Sequence, residues 1–173
     1  MRLSFTVTYM TARPIQQRVA AKVTFRIKRS LGEHPKYEPV TPEARALVRD
    51  FFAQHRGHVL VLTGAGVSTD SGIPDYRSPN GTYVKHPQYR SILFHEFVTQ
   101  HCARQRYWAR SFLGIREMEK ARPNPTHYAF SRLEQLGYIG QLITQNVDSL
   151  HRRAGSQKVL ELHGSLRTVR CMG

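Results

Sequence analysis

HVLVLTGAGVSTDSGIPDYRS, residues His58 to Ser78, opens as a short β-branched and aliphatic run and changes character at Thr63-Gly64-Ala65-Gly66, where two glycines let the backbone turn sharply and approach a ligand. A strand feeding a glycine turn and then a helix start is how a doubly wound fold receives the pyrophosphate of a dinucleotide. The third glycine of the usual fingerprint would stand at Thr69, so that fingerprint is not matched, and the turn alone reads equally well as a plain strand-to-helix connection. The residues after the turn are less ordinary. Ser68, Thr69, Asp70 and Ser71 supply hydroxyls and a carboxylate in one turn, and Ile73-Pro74-Asp75-Tyr76-Arg77 sets a fixed proline kink beside an acid and a guanidinium.

Upstream, Thr41 can cap a helix with Pro42 at its first position, and Ala44, Leu47, Val48, Phe51 and Phe52 share one face, predicting a core helix that Gly57 ends. Downstream, Pro79 to Pro87 reads as a loop and Phe94 to Phe112 as a helix of looser pattern. On it Tyr107 and Arg110 stand three apart, and a phenol beside a forked guanidinium can receive a carboxylate, although an ordinary surface pair has the same spacing. Asn124-Pro125 opens a further helix whose Ala129, Leu133 and Leu136 face inward until Gly137.

Tyr138 to Thr144 then reads as a second buried strand. It runs into Gln145-Asn146-Val147-Asp148 and a short helix closed by Gly155, and Lys158 to Leu162 forms a third strand that stops at His163-Gly164. Helical connections between strands imply a parallel sheet, and right-handed crossovers bring the glycine turn, the amide-acid turn and His163 to one carboxyl edge, where open α/β sheets bind ligands. The predicted class is therefore α/β, a Rossmann-like parallel sheet with flanking helices. A lone histidine after a strand is more often structural than catalytic, so His163 draws its interest from those neighbours; His55, His58, His86, His95, His101, His127 and His151 have no such context and are read as structural or surface residues.

The chain has 173 residues, enough for one domain with a core, and a formal net charge of +14. Half of that excess sits in residues 1 to 32, which hold 7 basic side chains and no Asp or Glu. Basic residues spaced among apolar and hydroxyl ones read as a mitochondrial transit peptide without regular structure; a basic tail for nucleic acid or anionic lipid is the alternative, and is disfavoured because the charges are not clustered. Residues 33 to 40 read as a linker and 41 to 173 as the folded part. No apolar run approaches membrane-spanning length, and two separated cysteines, Cys102 and Cys171, make no disulfide framework. Neither a nucleic-acid nor a membrane partner is expected.

Three separated stretches, GAGVSTDSGIPDYRS (Gly64 to Ser78), TQNVDSLHRRAG (Thr144 to Gly155) and ELHG (Glu161 to Gly164), together resemble the signatures of the sirtuins, NAD-dependent protein-lysine deacylases. The wording of Asp70-Ser71-Gly72 and Asp75-Tyr76-Arg77, with QRYWAR at Gln105 to Arg110, is similar to the class II mitochondrial branch. The resemblance implies that NAD is held by the backbone of Gly64, Ala65 and Gly66, with Ser68 and Val147 in the same site. It implies further that Gln145 and Asn146 hold the nicotinamide ribose, that Asp148 holds the carboxamide, and that Asp75, Tyr76 and Arg77 lie on a mobile cofactor loop. By the same likeness Asn146 and His163 are catalytic: the acyl oxygen of a modified lysine attacks the ribose as nicotinamide leaves, and His163 takes a proton through the ribose hydroxyls. The implied products are free lysine, nicotinamide and O-acyl-ADP-ribose, with ADP-ribosyl transfer to protein as a related outcome.

It also implies acylated-lysine proteins of the mitochondrial matrix as partners, a monomeric mature parent, and Tyr107 and Arg110 as readers of acid-tipped acyl chains; lipoyl, biotinyl, glutaryl-type and acetyl groups stay open. The family carries a four-cysteine structural zinc module, and only its first ligand, Cys171, is present here. The expectation is thus the first half of a sirtuin fold, weak or inactive alone, with a noncatalytic nucleotide sensor or partner-competing short form as the other reading.

Overall fold

A computed structural model of the chain describes residues 2–9, 21–28 and 39–171, with side chains for 39–171. Strands β1 (Arg2–Tyr9) and β2 (Ala21–Lys28) pair antiparallel in a sheet of their own. The sequence predicted no regular structure over 1 to 32, and in these two stretches the backbone forms strands instead. The rest of that segment, and residues 33–38 of the expected linker, lie outside the described residues.

The second sheet positions the site. β3 (Val59–Thr63), β4 (Ile139–Thr144) and β5 (Val159–Glu161) are parallel in the order β3-β4-β5, as a Rossmann-like reading requires. Thr63 is in register with Thr144, and Thr144 with Glu161, so the three strands end level. Val59, Val61, Ile139, Leu142 and Val159 are buried on one face, under Phe51, Phe52, Phe130 and Leu133. Burying a side chain of that size stabilises by roughly 1.5–3 kcal/mol. On the other side of the pleat Leu62 and Leu160 are about half exposed. Gly140 is obligatory, because a Cβ there would lie 2.3 Å from the carbonyl oxygen of Gly57 and the backbone of both segments would have to move.

Helix α1 (Pro42–Gln54) starts as its sequence predicts, with Thr41 Oγ1 accepting from the N–H of Ala44 at 3.2 Å. It is not a core helix along its length. None of its residues is fully buried, Leu47 is 62% exposed, and only the Phe51 and Phe52 end reaches the sheet. Within the predicted loop, Thr82–Lys85 forms the one-turn helix α2. The single helix predicted over Phe94 to Phe112 is two: α3 (Phe94–Thr99) and α4 (His101–Lys120), broken where Gln100 takes extended backbone. Arg104 Nη1 donates to the exposed carbonyls of Phe97 and Val98 at 3.0 and 2.8 Å, which stabilises that break. α5 (Pro125–Gln135) and α6 (Leu150–Arg153) complete the fold, and Asn124 caps α5 as expected.

Candidate functional site

The glycine turn leaves β3 into a 3₁₀ helix, Ala65–Ser71, and not the α-helix start that its sequence predicts. The reason is a grip from elsewhere in the chain: Asn124 Nδ2 donates to the carbonyl of Val67 at 2.8 Å and to Ser71 Oγ at 3.1 Å, while Asn124 Oδ1 caps α5 through the N–H groups of Thr126 and His127. One buried amide thereby fixes both the dinucleotide-type turn and the start of α5. Gly72 ends the 3₁₀ helix in the left-handed region, at φ 86°.

Level strand ends make the three loops neighbours. The N–H of Gln145 donates to the carbonyl of Thr63 at 3.0 Å, and that of Leu162 to the carbonyl of Thr144 at 2.9 Å. Across the first gap Asn146 Nδ2 donates to the carbonyl of Gly64 and to Ser68 Oγ, each at 3.1 Å, and Ser68 Oγ donates to Asp148 Oδ2 at 2.7 Å. Asp148 Oδ1 meanwhile accepts from the N–H of Leu150 at 2.9 Å, so the acid both orients the hydroxyl and starts α6. Ser149 between them holds φ 57°, a left-handed conformation unusual for serine, with its hydroxyl on Glu161 Oε1 at 3.0 Å. Across the second gap His163 Nδ1 meets the carbonyl of Gln145 at 2.8 Å. Since a carbonyl only accepts, Nδ1 carries the proton in the neutral ring and Nε2 presents its lone pair to the exposed side.

The structure therefore brings Gly64, Ser68, Gln145, Asn146, Asp148 and His163 together, with Ala65 and Gly66 in the turn and Val147 in the amide-acid turn. Asp75 seats its own loop: its Oδ1 accepts from the N–H of Ser78 at 2.9 Å, and Tyr76 packs on Tyr83 with ring centroids 5.5 Å apart. Arg77 lies exposed on the same loop. Tyr107 packs edge to face between Phe97 and Trp108, and Arg110 donates to the carbonyl of Arg90 at 2.6 Å with its guanidinium over the Tyr89 ring. Cys171 is exposed and free, and among the described residues no group of three or more His, Cys, Asp or Glu could hold a metal ion. Those residues do not fit a zinc centre.

Directly behind the glycine turn lies a pair of histidines to which sequence reading gave no role in the site. His127 and His151 are fully buried with ring centroids 4.7 Å apart. His151 Nε2 meets Thr63 Oγ1 at 3.0 Å, and His127 Nδ1 accepts from the N–H of Asn124 at 3.3 Å. Burial lowers the pKa of both; His151 falls to about 4, with His127 beside it adding to the depression and Asp148 opposing it. A histidine depressed in the folded state stays neutral there while the unfolded chain takes up protons, so its contribution is complete above pH 6.5 and is lost as pH falls toward 4. For His151 that loss is of order 3 kcal/mol. The thermal midpoint is expected to drop steeply between those pH values, and His151→Asn to flatten the drop; parallel profiles for the two proteins would refute this.

A family model for the Sir2 family matches residues 64–173, which contain all three loops of the site. The chain belongs to the Sir2 family. It is 46% identical over 142 residues to the NAD-dependent protein deacylase SIR4 of Batrachochytrium dendrobatidis, covering 80% of this chain and 47% of that protein. Across 99% of its length it is 40% identical to the mitochondrial NAD-dependent protein lipoamidase sirtuin-4 of Bos taurus, of which it covers 54%. This Sir2 chain thus spans about half the length of the curated relatives it matches. Among solved structures it resembles a Sir2 homologue in complex with ADP-ribose (TM-score 0.58, 44% identity, 65% of this chain and 45% of that one) and a Sir2 homologue–NAD complex (TM-score 0.55, 44% identity, 65% and 43%). Such likeness at such identity bears out the Rossmann-like Sir2 fold and the sirtuin resemblance.

Proposed function

We propose that this chain carries the nucleotide-facing and proton-transferring part of a NAD-dependent protein-lysine deacylase. The observation that carries the reading is the hydrogen-bonded run Gly64–Asn146–Ser68–Asp148 beside an exposed histidine whose Nδ1 lies 2.8 Å from the carbonyl of Gln145, which in the neutral ring leaves Nε2 as the acceptor. The donor set fits a dinucleotide: a glycine turn without a capping side chain, a hydroxyl, an amide and a carboxylate. NAD, when bound, supplies a glycosidic carbon from which nicotinamide departs. The residues of the chain do the rest. The turn Gly64 to Gly66 holds the pyrophosphate, Gln145 and Asn146 orient the nicotinamide ribose, and Ser68-oriented Asp148 accepts from the carboxamide. Asp75, Tyr76 and Arg77 close over the cofactor against water, and His163 Nε2 takes a proton through the ribose hydroxyls after the acyl-lysine oxygen has displaced nicotinamide, so that the hydroxyl can bond to the acyl carbon and free the lysine.

The finer assignments rest on the likeness to the bovine mitochondrial lipoamidase: a matrix enzyme acting on acylated-lysine proteins, imported through residues 1 to 32, with Tyr107 and Arg110 near the acyl group and ADP-ribosyl transfer as a side reaction. Nicotinamide release from NAD is expected only in the presence of an acyl-lysine peptide, with ADP-ribose bound in calorimetry. Binding of ADP-ribose with no peptide-dependent release would refute the enzyme and leave a nucleotide sensor.

A further inference from the structure

Ser149 is the one non-glycine residue with a positive φ among the described residues, and it is buried. Glycine would hold φ 57° without the clash that a Cβ meets in the left-handed region, so the backbone does not call for serine. The hydroxyl accounts for it. Ser149 Oγ lies 3.0 Å from Glu161 Oε1 and 2.9 Å from Ser165 Oγ. A carboxylate only accepts, so the Ser149 proton goes to Glu161, and a lone pair of Ser149 receives the Ser165 proton. Ser165 Oγ in turn accepts from the N–H of Arg167 at 3.1 Å. The bonds therefore run in one direction, Arg167 to Ser165 to Ser149 to Glu161, and each polarises the next. Arg152 holds the far end, with Nε 3.4 Å from Glu161 Oε2 and Nη2 donating to the carbonyl of Val159 at 2.8 Å.

Glu161 and Ser165 stand on either side of His163. His163 is exposed, and its ring is held through Nδ1 by the carbonyl of Gln145 at 2.8 Å. Gly164 follows at φ 75° with open space around it, a hinge immediately after the base. A base on such a loop keeps its place only if the loop is tied. The backbone supplies two ties, from the N–H of Leu162 to the carbonyl of Thr144 and from that of Leu166 to the carbonyl of Val147. The Ser149–Ser165 contact adds a side-chain tie, and it comes from the residue next to Asp148. Since Asp148 is set by Ser68 Oγ and the N–H of Leu150, Ser149 carries the position of that acid across to the loop of the base.

We propose that Ser149 is a positioning residue: its hydroxyl, aimed by the left-handed backbone, fixes His163 relative to the acid of the nucleotide site. The inference rests on the deacylase reading. It is tested with Ser149→Gly, which relaxes the backbone and removes the hydroxyl, and with Ser149→Ala, which removes the hydroxyl alone. Peptide-dependent nicotinamide release, ADP-ribose affinity by calorimetry and the nitrogen NMR shifts of the His163 ring are measured on the whole chain. In both variants kcat for release is expected to fall about 10- to 100-fold, the cost of a misplaced catalytic group, while KM for NAD and ADP-ribose affinity stay within about threefold. The ring shifts should pass from the Nδ1–H form to a mixture of tautomers. The thermal midpoint should fall further in Ser149→Ala than in Ser149→Gly. Ser165→Ala should lose as much release as Ser149→Gly, and the double variant no more than either, because both remove one tie. Near-parental release in Ser149→Gly with a loss only in Ser149→Ala overturns the proposal, since the loss then follows backbone strain. A loss of ADP-ribose affinity as large as the loss of release overturns it as well, by placing Ser149 in the nucleotide site. Ring shifts that ignore both variants overturn it whatever the activity. An unaltered protein that releases no nicotinamide, but whose His163 ring answers to Ser149→Gly, keeps the tie and refutes the deacylase.

Discussion

Replacing His163 with alanine is expected to lower peptide-dependent nicotinamide release and O-acyl-ADP-ribose formation by about 10²- to 10⁴-fold, the span of a lost general base. ADP-ribose affinity should stay within about twofold, because the side chain contacts the backbone of Gln145 and none of the groups that tie the glycine turn. The hydrogen bond to Gln145 makes the expectation sharper than a deletion alone. It fixes the proton on Nδ1, so a residue that keeps the Nδ1-type donor and lacks a basic Nε2 should hold the loop in place and fail in turnover. Asparagine approximates that case. His163→Asn is expected to leave the thermal midpoint unchanged while release falls as far as in His163→Ala. Near-normal turnover in either variant would end the assignment of His163 as base.

The second large effect is expected at Asn146. Its Nδ2 is the donor that joins the β4 turn to the carbonyl of Gly64 and to Ser68 Oγ, and through Ser68 to Asp148. Asn146→Asp keeps the shape, removes both donors and adds a charge close to the Asp148 carboxylate. Two lost hydrogen bonds and a like-charge contact amount to about 2–4 kcal/mol, so ADP-ribose affinity should fall by roughly 30- to 1000-fold. Asn146→Ala loses the bonds without the added charge and should fall toward the lower end. Calorimetry with ADP-ribose reads both. An Asn146→Asp protein that binds as tightly as the parent would mean that the run of hydrogen bonds is not what shapes the nucleotide site.

The strands, the glycine turn and the caps at Thr41 and Asn124 were legible in the sequence because their causes are local: a β-branched run, two glycines at one spacing, a hydroxyl or amide followed by proline. The edge shared by the three loops followed from connectivity. What escaped has distant causes. The 3₁₀ form of Ala65–Ser71 depends on Asn124, more than fifty residues away, and a capping amide gives no sign that its NH₂ is employed elsewhere. His127 and His151 meet only in three dimensions, and His151 finds Thr63 at a separation of 88 residues. The break at Gln100 is held by Arg104 reaching back to Phe97 and Val98, which helical periodicity does not register. Helix α1 reads as a core helix because five apolar residues on one face look alike in sequence, whether or not the sheet extends beneath them.

Because Thr63, Thr144 and Glu161 stand in one line, tolerance to insertion and deletion should be sharply uneven along the chain. One residue added to any of the three strands would push its loop forward by about 3.3 Å and turn every later side chain of that strand to the opposite face. The long passage from Pro79 to Pro123 belongs to none of the three strands, so between its two anchored ends, the loop seated by Asp75 and the grip of Asn124 on Val67 and Ser71, it can change length without shifting the strand register. Natural variation in this molecule should accordingly gather in that passage, while the strands keep their residue count.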